Sequence, residues 1–154
     1  MHILVIGAAG MVGRKLVQRL IADRALGGRA IERFTLADVL TPEPPAGFGG
    51  TVETEAADLS ASGVAKRLVA KRPDVIFHLA AIVSGEAEAD FNKGYRINLD
   101  GTRMLLEAIR LAGQQQPYSP RLVFTSSIAV FGAPFPDAID DEFFSTPLTS
   151  YGTQ

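Results

Sequence analysis

The chain has 154 residues with a net charge of −2, and it is 47% apolar and 21% charged, the balance of one globular domain with one sizeable core. That charge gives no electrostatic footprint for nucleic acid or an anionic membrane surface, so neither is an expected partner. The lack of cysteine excludes disulfides, thiol nucleophiles and thiolate metal sites, and it accords with a reducing cytoplasm as the expected location.

The chain opens with MHILVIGAAGMVG. The apolar run His2–Ile6 predicts a strand, and it breaks at Gly7. Gly10 and Gly13 follow at GxxGxxG spacing while a helical pattern begins, which reads as strand, tight turn and helix start. Each glycine has a use there: Gly7 lets the chain turn sharply, Gly10 has no side chain to hold off a pyrophosphate, and Gly13 lets the helix pack close. The free N–H groups of Ala9 to Gly13 would then face phosphates at the positive end of the helix dipole. A ligand-free turn is the alternative for a bare triplet. The opening run lacks a basic leader and a cleavage site, and no run in the chain is long enough to span a bilayer.

The first helix is predicted over Met11–Asp23, with Val12, Leu16, Val17, Leu20 and Ile21 inward and Arg14, Lys15, Gln18 and Arg19 outward. Gly27-Gly28 closes that region. A second strand over 33–39 carries Asp38 at its end, somewhat beyond the roughly 20-residue offset expected of a ribose-binding carboxylate. The Pro- and Gly-rich stretch 41–50 is a loop. A third strand over Thr51–Ala56 leads into Asp58-Leu59, then a helix over 60–71 with Val64, Leu68 and Val69 inward, stopped by Pro73. The run 74–79, DVIFHL, is apolar enough to be buried on both faces of a parallel sheet. Residues 80–90 read as a loop and 91–112 as a long helix stopped by Gly113. A fifth strand over 121–125 ends at Ser126-Ser127. Residues 132–148 are irregular, and 149–154 look like the first turn of another helix.

This β-α-β-β-α-β-α-β order predicts an α/β fold of the Rossmann type, a doubly wound parallel sheet with helices on both faces. Ligand belongs outside the C-terminal ends of the strands. Gly7–Gly13, Asp38, Asp58, Ala80–Ser84 and Ser126–Ser127 all fall there. Asp38 could accept both hydroxyls of an adenosine ribose and would repel a 2′-phosphate, which points to NAD over NADP; a cap or a solvated carboxylate is the alternative. Asp58 and Leu59 fit an adenine contact, and Asp58 equally fits an N-cap for the next helix. His78 reads as a satisfied core histidine, and with two histidines and no cysteine no metal site is expected. Ser126 and Ser127 could bond a substrate oxygen or simply close a strand-end turn. Tyr151 could act as acid or base if a cation lowered its pKa. Glu86, Glu88, Asp140, Asp141 and Glu142 read as solvated charges.

These residues resemble the extended short-chain dehydrogenase/reductase family, which includes the NAD-dependent epimerases and dehydratases. The likeness covers the whole chain: GAAGMVG at 7–13, Asp38, Asp58-Leu59, HLAA at 78–81, Asn98, TSSIAVFG at 125–132 and SYGTQ at 150–154. The segment 83–103 looks closest to the D-erythronate dehydrogenase branch, which oxidises four-carbon sugar acids with NAD. The resemblance implies that Gly7, Ala9, Gly10, Met11, Val12 and Gly13 hold the pyrophosphate, Asp38 the ribose, and Asp58 and Leu59 the adenine. Leu79, Ala80 and Ala81 would line the way to the nicotinamide, with Asn98 supporting the site and Tyr151 also touching the cofactor. Ser127 and Tyr151 would be catalytic, and Ser84, Ser126 and Ser127 would meet substrate. A sugar-acid dehydrogenase is the function implied. An NDP-sugar epimerase that retains its NAD, and a non-catalytic NAD-binding regulatory domain, are the alternatives. The lysine of the Tyr-x-x-x-Lys motif would be residue 155, one past Gln154. Residues 1–154 are therefore expected to be an incomplete NAD-binding domain of a longer protein, binding NAD weakly and not turning over by itself. A substrate-binding part would follow, and the full-length protein would be a homodimer.

Overall fold

The computed structural model describes all 154 residues. Five strands form one parallel sheet: β1 (His2–Ile6), β4 (Arg33–Asp38), β5 (Thr51–Ala56), β6 (Val75–His78) and β7 (Arg121–Phe124), in the order β5-β4-β1-β6-β7. β1 is central and reads as buried at every position. Its pairing sets His2 beside Arg33 and Ile6 beside Ala37 on one flank, and Ile6 beside His78 on the other. The chain leaves β1 towards one edge, returns under the sheet and fills the other edge. Strand order thus reverses beside β1, and a crevice opens there.

Alternation along each strand assigns the two faces. Ile3, Val5, Phe34, Leu36 and Val75 meet Val17 and Leu20 of α1 (Met11–Asp23). Leu4, Ile6, Ala37 and Ile76 meet Leu68 and Val69 of α2 (Val64–Ala70) and Leu105 and Ala108 of α5 (Gly101–Gln115). Helices therefore cover both faces, as the doubly wound pattern requires. On the edge strand β5, Glu53 and Glu55 pair with Arg33, Arg67 and Lys71, charges that discourage edge-to-edge pairing.

Several boundaries differ from the sequence expectation, each for a local reason. Gly27 and Gly28 close a hairpin between β2 (Ala25–Leu26) and β3 (Arg29–Ala30), both glycines having positive φ. α2 begins at Val64 and not at Ser60. Asp58 holds the Ser60 N–H in a tight turn, and Gly63 sits in the left-handed region just before the helix. Part of the expected 80–90 loop is α3 (Ser84–Ala89), which buries Ala87. The long helix is three pieces: α4 (Phe91–Gly94), a π turn over Tyr95–Asp100, and α5. Gly113 does not stop α5, which ends at Gln115. Gln116 is extended because Pro117 follows it, and a residue before proline avoids the helical region. Val12 is 55% exposed, not inward, because the first turn of α1 overhangs the strand ends. The last element is α6 (Ser150–Thr153).

Leu68 has no exposed surface and joins α2 to the sheet. Leu68→Ala is expected to lower unfolding free energy by about 2–5 kcal/mol, read from urea denaturation; a loss well under about 1 kcal/mol would contradict this packing.

Candidate functional site: a dinucleotide cleft

The turn between β1 and α1 is built from absent side chains. Gly7 has φ +94°, and a Cβ there would lie 2.8 Å from the Ala80 nitrogen and 2.9 Å from the Leu79 carbonyl carbon. A Cβ on Gly13 would run into the Gly7 carbonyl oxygen and sit 2.8 Å from the Ala8 Cα. The chain therefore folds against itself and against the end of β6. Gly10 caps α1 without a side-chain bond, and the first helical turn holds no acidic residue. No protein acceptor takes the Met11, Val12 or Gly13 N–H. Unpaired amides at the positive end of a helix suit an anion.

Beside this turn lies a cleft of about 670 Å³, the size of a small-molecule site. Of the residues singled out in the sequence, Gly7, Ala9, Gly10, Asp38, Asp58, Leu59, Leu79, Ala80 and Ala81 line it. Met11, Val12 and Gly13 begin α1 just outside that lining. The Asp38 carboxylate accepts the Ala9 N–H at 2.9 Å and the Val39 N–H at 2.7 Å, which fixes it over the glycine turn. Asp58 caps the turn at Ser60 and not α2, whose N-cap is Gly63. Hydrogen bonds from Ser60 hold the Asp58 carboxyl below its usual range, with Arg96 adding to the effect.

Asn98 lies outside the cleft lining and ties its parts together. Its Oδ1 accepts the Ile82 N–H at 2.9 Å, and its Nδ2 donates to the Ile82 carbonyl at 3.2 Å and to Gln154 Oε1 at 3.0 Å. The π turn frees it for this. The Gly101 N–H bonds to the Arg96 carbonyl five residues back, while the Thr102 hydroxyl donates to the Asn98 carbonyl at 2.7 Å. Hydroxyls bonding back four residues loosen helices, and π turns cluster at functional sites.

That hydroxyl also lies 2.8 Å from His78 Nε2. Having given its proton to Asn98, it must accept from Nε2–H, which assigns the histidine tautomer. His78 Nδ1 is then a bare buried acceptor with no partner. The core histidine expected from the sequence is therefore only half satisfied. Burial pushes its pKa down to about 4.

The turn that carries Ser127 and the helix that carries Tyr151 pack on each other beyond the end of β7. Ser127 Oγ accepts the Ala129 N–H at 3.2 Å and so closes the turn over Ile128–Val130, leaving its own proton without an acceptor in the chain. Gly152, next to Tyr151, lies so close to the Ala129 carbonyl that no Cβ would fit. Ser126 is exposed at the end of β7, and Ser84 is exposed at the start of α3. Neither they nor Ser127 and Tyr151 line the cleft itself.

Three residues expected to be solvated charges have partners, one of them Asp140, whose Oδ1 accepts the Glu142 N–H at 3.0 Å. Glu86 lines the cleft and pairs with Lys93. Glu88 accepts the Tyr151 N–H at 2.6 Å, pinning the start of α6. The sequence carried no local signal for a contact across 63 residues. Ile82, within the expected 80–84 stretch, also lines the cleft, as do Val39, Leu40 and Arg96, which went unread in the sequence.

A parallel sheet, a glycine turn with free amides and a fixed carboxylate at the end of the next strand define a dinucleotide-binding α/β domain. The chain belongs to the NAD dependent epimerase/dehydratase family, whose model matches residues 3–154. It is 42% identical over 160 residues to the D-erythronate dehydrogenase of Cupriavidus necator, covering 100% of this chain and 47% of that protein. A solved nucleoside-diphosphate-sugar epimerase from Agrobacterium tumefaciens shares 70% identity at a TM-score of 0.96, over 99% of this chain and 45% of that one. The UDP-glucose 4-epimerase of Brucella ovis, solved with NAD, shares 28% at a TM-score of 0.74, over 99% and 43%. The chain thus spans about half the length of the relatives it matches. NAD is the cofactor of this family. The residues present fit it: free amides for the pyrophosphate, a fixed Asp38 carboxylate for a ribose, and lining cations, Lys93 and Arg96, that are engaged by Glu86 and by Asp58 with Ser60.

The His78 shift has a consequence for pH dependence. The unfolded chain takes up a proton near the ordinary value of 6.5, and the folded one only near 4. Stability is therefore full above the unfolded value and falls as pH drops through this window. The expected loss attributable to His78 is about 2 kcal/mol between about pH 7 and about pH 5. Urea unfolding checks it: His78→Gln should flatten that slope, and an equal slope in the variant would contradict the assignment.

Proposed function

We propose that the protein of which this chain forms the NAD-binding part oxidises a hydroxyl of a small sugar acid, of the D-erythronate class, with NAD as the acceptor. One observation carries the catalytic half of this reading: the Ser127 turn and the Tyr151 helix pack on each other, through Gly152 and Ala129, at the end of the sheet that holds the glycine turn. The relationship to a D-erythronate dehydrogenase supports the substrate class. A substrate-binding part beyond these residues would form the other wall of the pocket.

NAD, when bound, supplies an electrophilic ring that takes up hydride. The protein's work is position and proton transfer. Tyr151, acting as the phenolate, takes the proton of the substrate hydroxyl and becomes the neutral phenol. Ser127, whose proton is free, donates to the same oxygen and fixes it. Asn98 locks the Ile82 backbone and reaches Gln154, and Glu88 holds the Tyr151 N–H, so that α6 is set against the cleft wall. Exposed Leu99 and Leu106, on the helical segment that carries Asn98, support a homodimer through that face.

The kinship to a nucleoside-diphosphate-sugar epimerase favours a second reading, in which NAD is retained and a nucleotide sugar is epimerised. The full-length protein separates the two. Release of NADH with D-erythronate supports the dehydrogenase, whereas interconversion of UDP-sugars without net NADH supports the epimerase. In either case Tyr151→Phe is expected to lower turnover by roughly 10²- to 10⁴-fold, and unchanged turnover would remove Tyr151 from the mechanism.

A further inference from the structure

Arg96 projects from the π turn into the cleft. Its Nη1 donates to Ser60 Oγ at 2.6 Å and approaches Asp58 Oδ2 at 3.4 Å. Asp58 Oδ1 is already filled by the Ser60 N–H at 2.9 Å and the Ser60 hydroxyl at 2.6 Å. The three side chains form one fixture. Its weak point is Oδ2, since 3.4 Å lies beyond the roughly 2.7–2.9 Å of a strong charge-assisted bond. That oxygen keeps room for another donor. The Arg96 and Asp58 side chains are 51% and 42% exposed, so as an ion pair they add little to stability. Lys93, the other cation of the cleft, is engaged by Glu86.

The apolar lining completes the description. Val39 and Leu40 face the same cleft yet are 66% and 73% exposed, and Leu59 lies in the lining with them. A flat, aromatic ligand with an amine on its edge would satisfy all three features. It would cover Val39 and Leu40, give its amine to Asp58 Oδ2, and offer a π-face to a guanidinium. Adenine has this chemistry, and a planar guanidinium suits its face better than the point charge of a lysine.

Resting on the reading of this cleft as the NAD site, we propose that Arg96 is a cofactor contact whose guanidinium, steered by Ser60 and Asp58, lies on the adenine face and closes the base against the Val39–Leu40 segment. The π turn delivers it: the wider i→i+5 step turns Arg96 into the cleft while Asn98 reaches Ile82. Asp58 reads the edge of the base, and Arg96 reads its face, so the two contributions are separable by ligand chemistry.

The experiment measures dissociation constants of the full-length protein for NAD, for AMP and for nicotinamide hypoxanthine dinucleotide, in which an oxygen replaces the 6-amino group. Wild type should bind the hypoxanthine analogue more weakly than NAD. Arg96→Ala should weaken NAD, AMP and the analogue by a common factor of about 3- to 30-fold, because stacking reads any purine. Arg96→Lys should recover only part of it. Asp58→Asn should instead erode the preference for adenine over hypoxanthine. If Arg96→Ala binds all three ligands as wild type does, or if Arg96→Lys restores affinity fully, the proposal is overturned. If wild type binds neither NAD nor AMP, the NAD reading itself fails, a result no Arg96 variant can mimic. Thermal melting alongside separates a lost contact from a lost fold.

Discussion

At the crossing of β1 and α1 the backbone packs against itself with no space for a methyl group. Gly13 meets the Gly7 carbonyl, and Gly7 meets the end of β6. From this contact the geometry of the site follows. The helix begins so close to the strand that its first amides have no protein partner, and they open onto the crevice where strand order reverses. Asp38, arriving on the neighbouring strand, is drawn onto the same turn by the Ala9 N–H. The free amides of the turn and the Asp38 carboxylate are therefore one rigid unit, held by backbone packing and by the Ala9 N–H.

A second organising feature is the break in the long helix. An uninterrupted helix would pass the strand ends carrying Asn98 and Arg96 in the ordinary register. The π turn, with Thr102 bonded back to the Asn98 carbonyl, lets one segment serve two masters: Arg96 in the cleft lining, Asn98 on Ile82 and Gln154. Each hydrogen bond in this chain is worth only about 1 kcal/mol. Their joint effect is to fix the Tyr151 helix relative to the cleft. The bare Nδ1 of His78 is the unsatisfied member of this arrangement.

The sheet was legible in the sequence because its signals are strong and local. The strands expected over 2–6, 33–39, 51–56, 74–79 and 121–125 each lie within a residue of an observed strand at either end, because they are short runs, mostly apolar, set off by turns and loops. The cleft residues at strand ends, from Gly7 to Ala81, followed from the fold rule for ligands. What escaped was governed by contacts between distant segments. Glu88 meets Tyr151, and Arg96 meets Ser60, across gaps that no periodicity encodes. The α3 turn survives by burying Ala87 against the rest of the fold. Gly113 looked like a helix stop, yet Pro117 set the end through its effect on Gln116. The glycine pair at 27–28 looked like mere punctuation and is a hairpin turn.

The family's cofactor gives the structure its most direct test. A crystal structure of the full-length protein with NAD should show the pyrophosphate within hydrogen-bonding distance of the Met11 and Val12 amides, with the Asp38 carboxylate on the adenosine ribose. A pyrophosphate seated away from the start of α1, or an Asp38 turned from the ribose, would contradict the role given to the glycine turn.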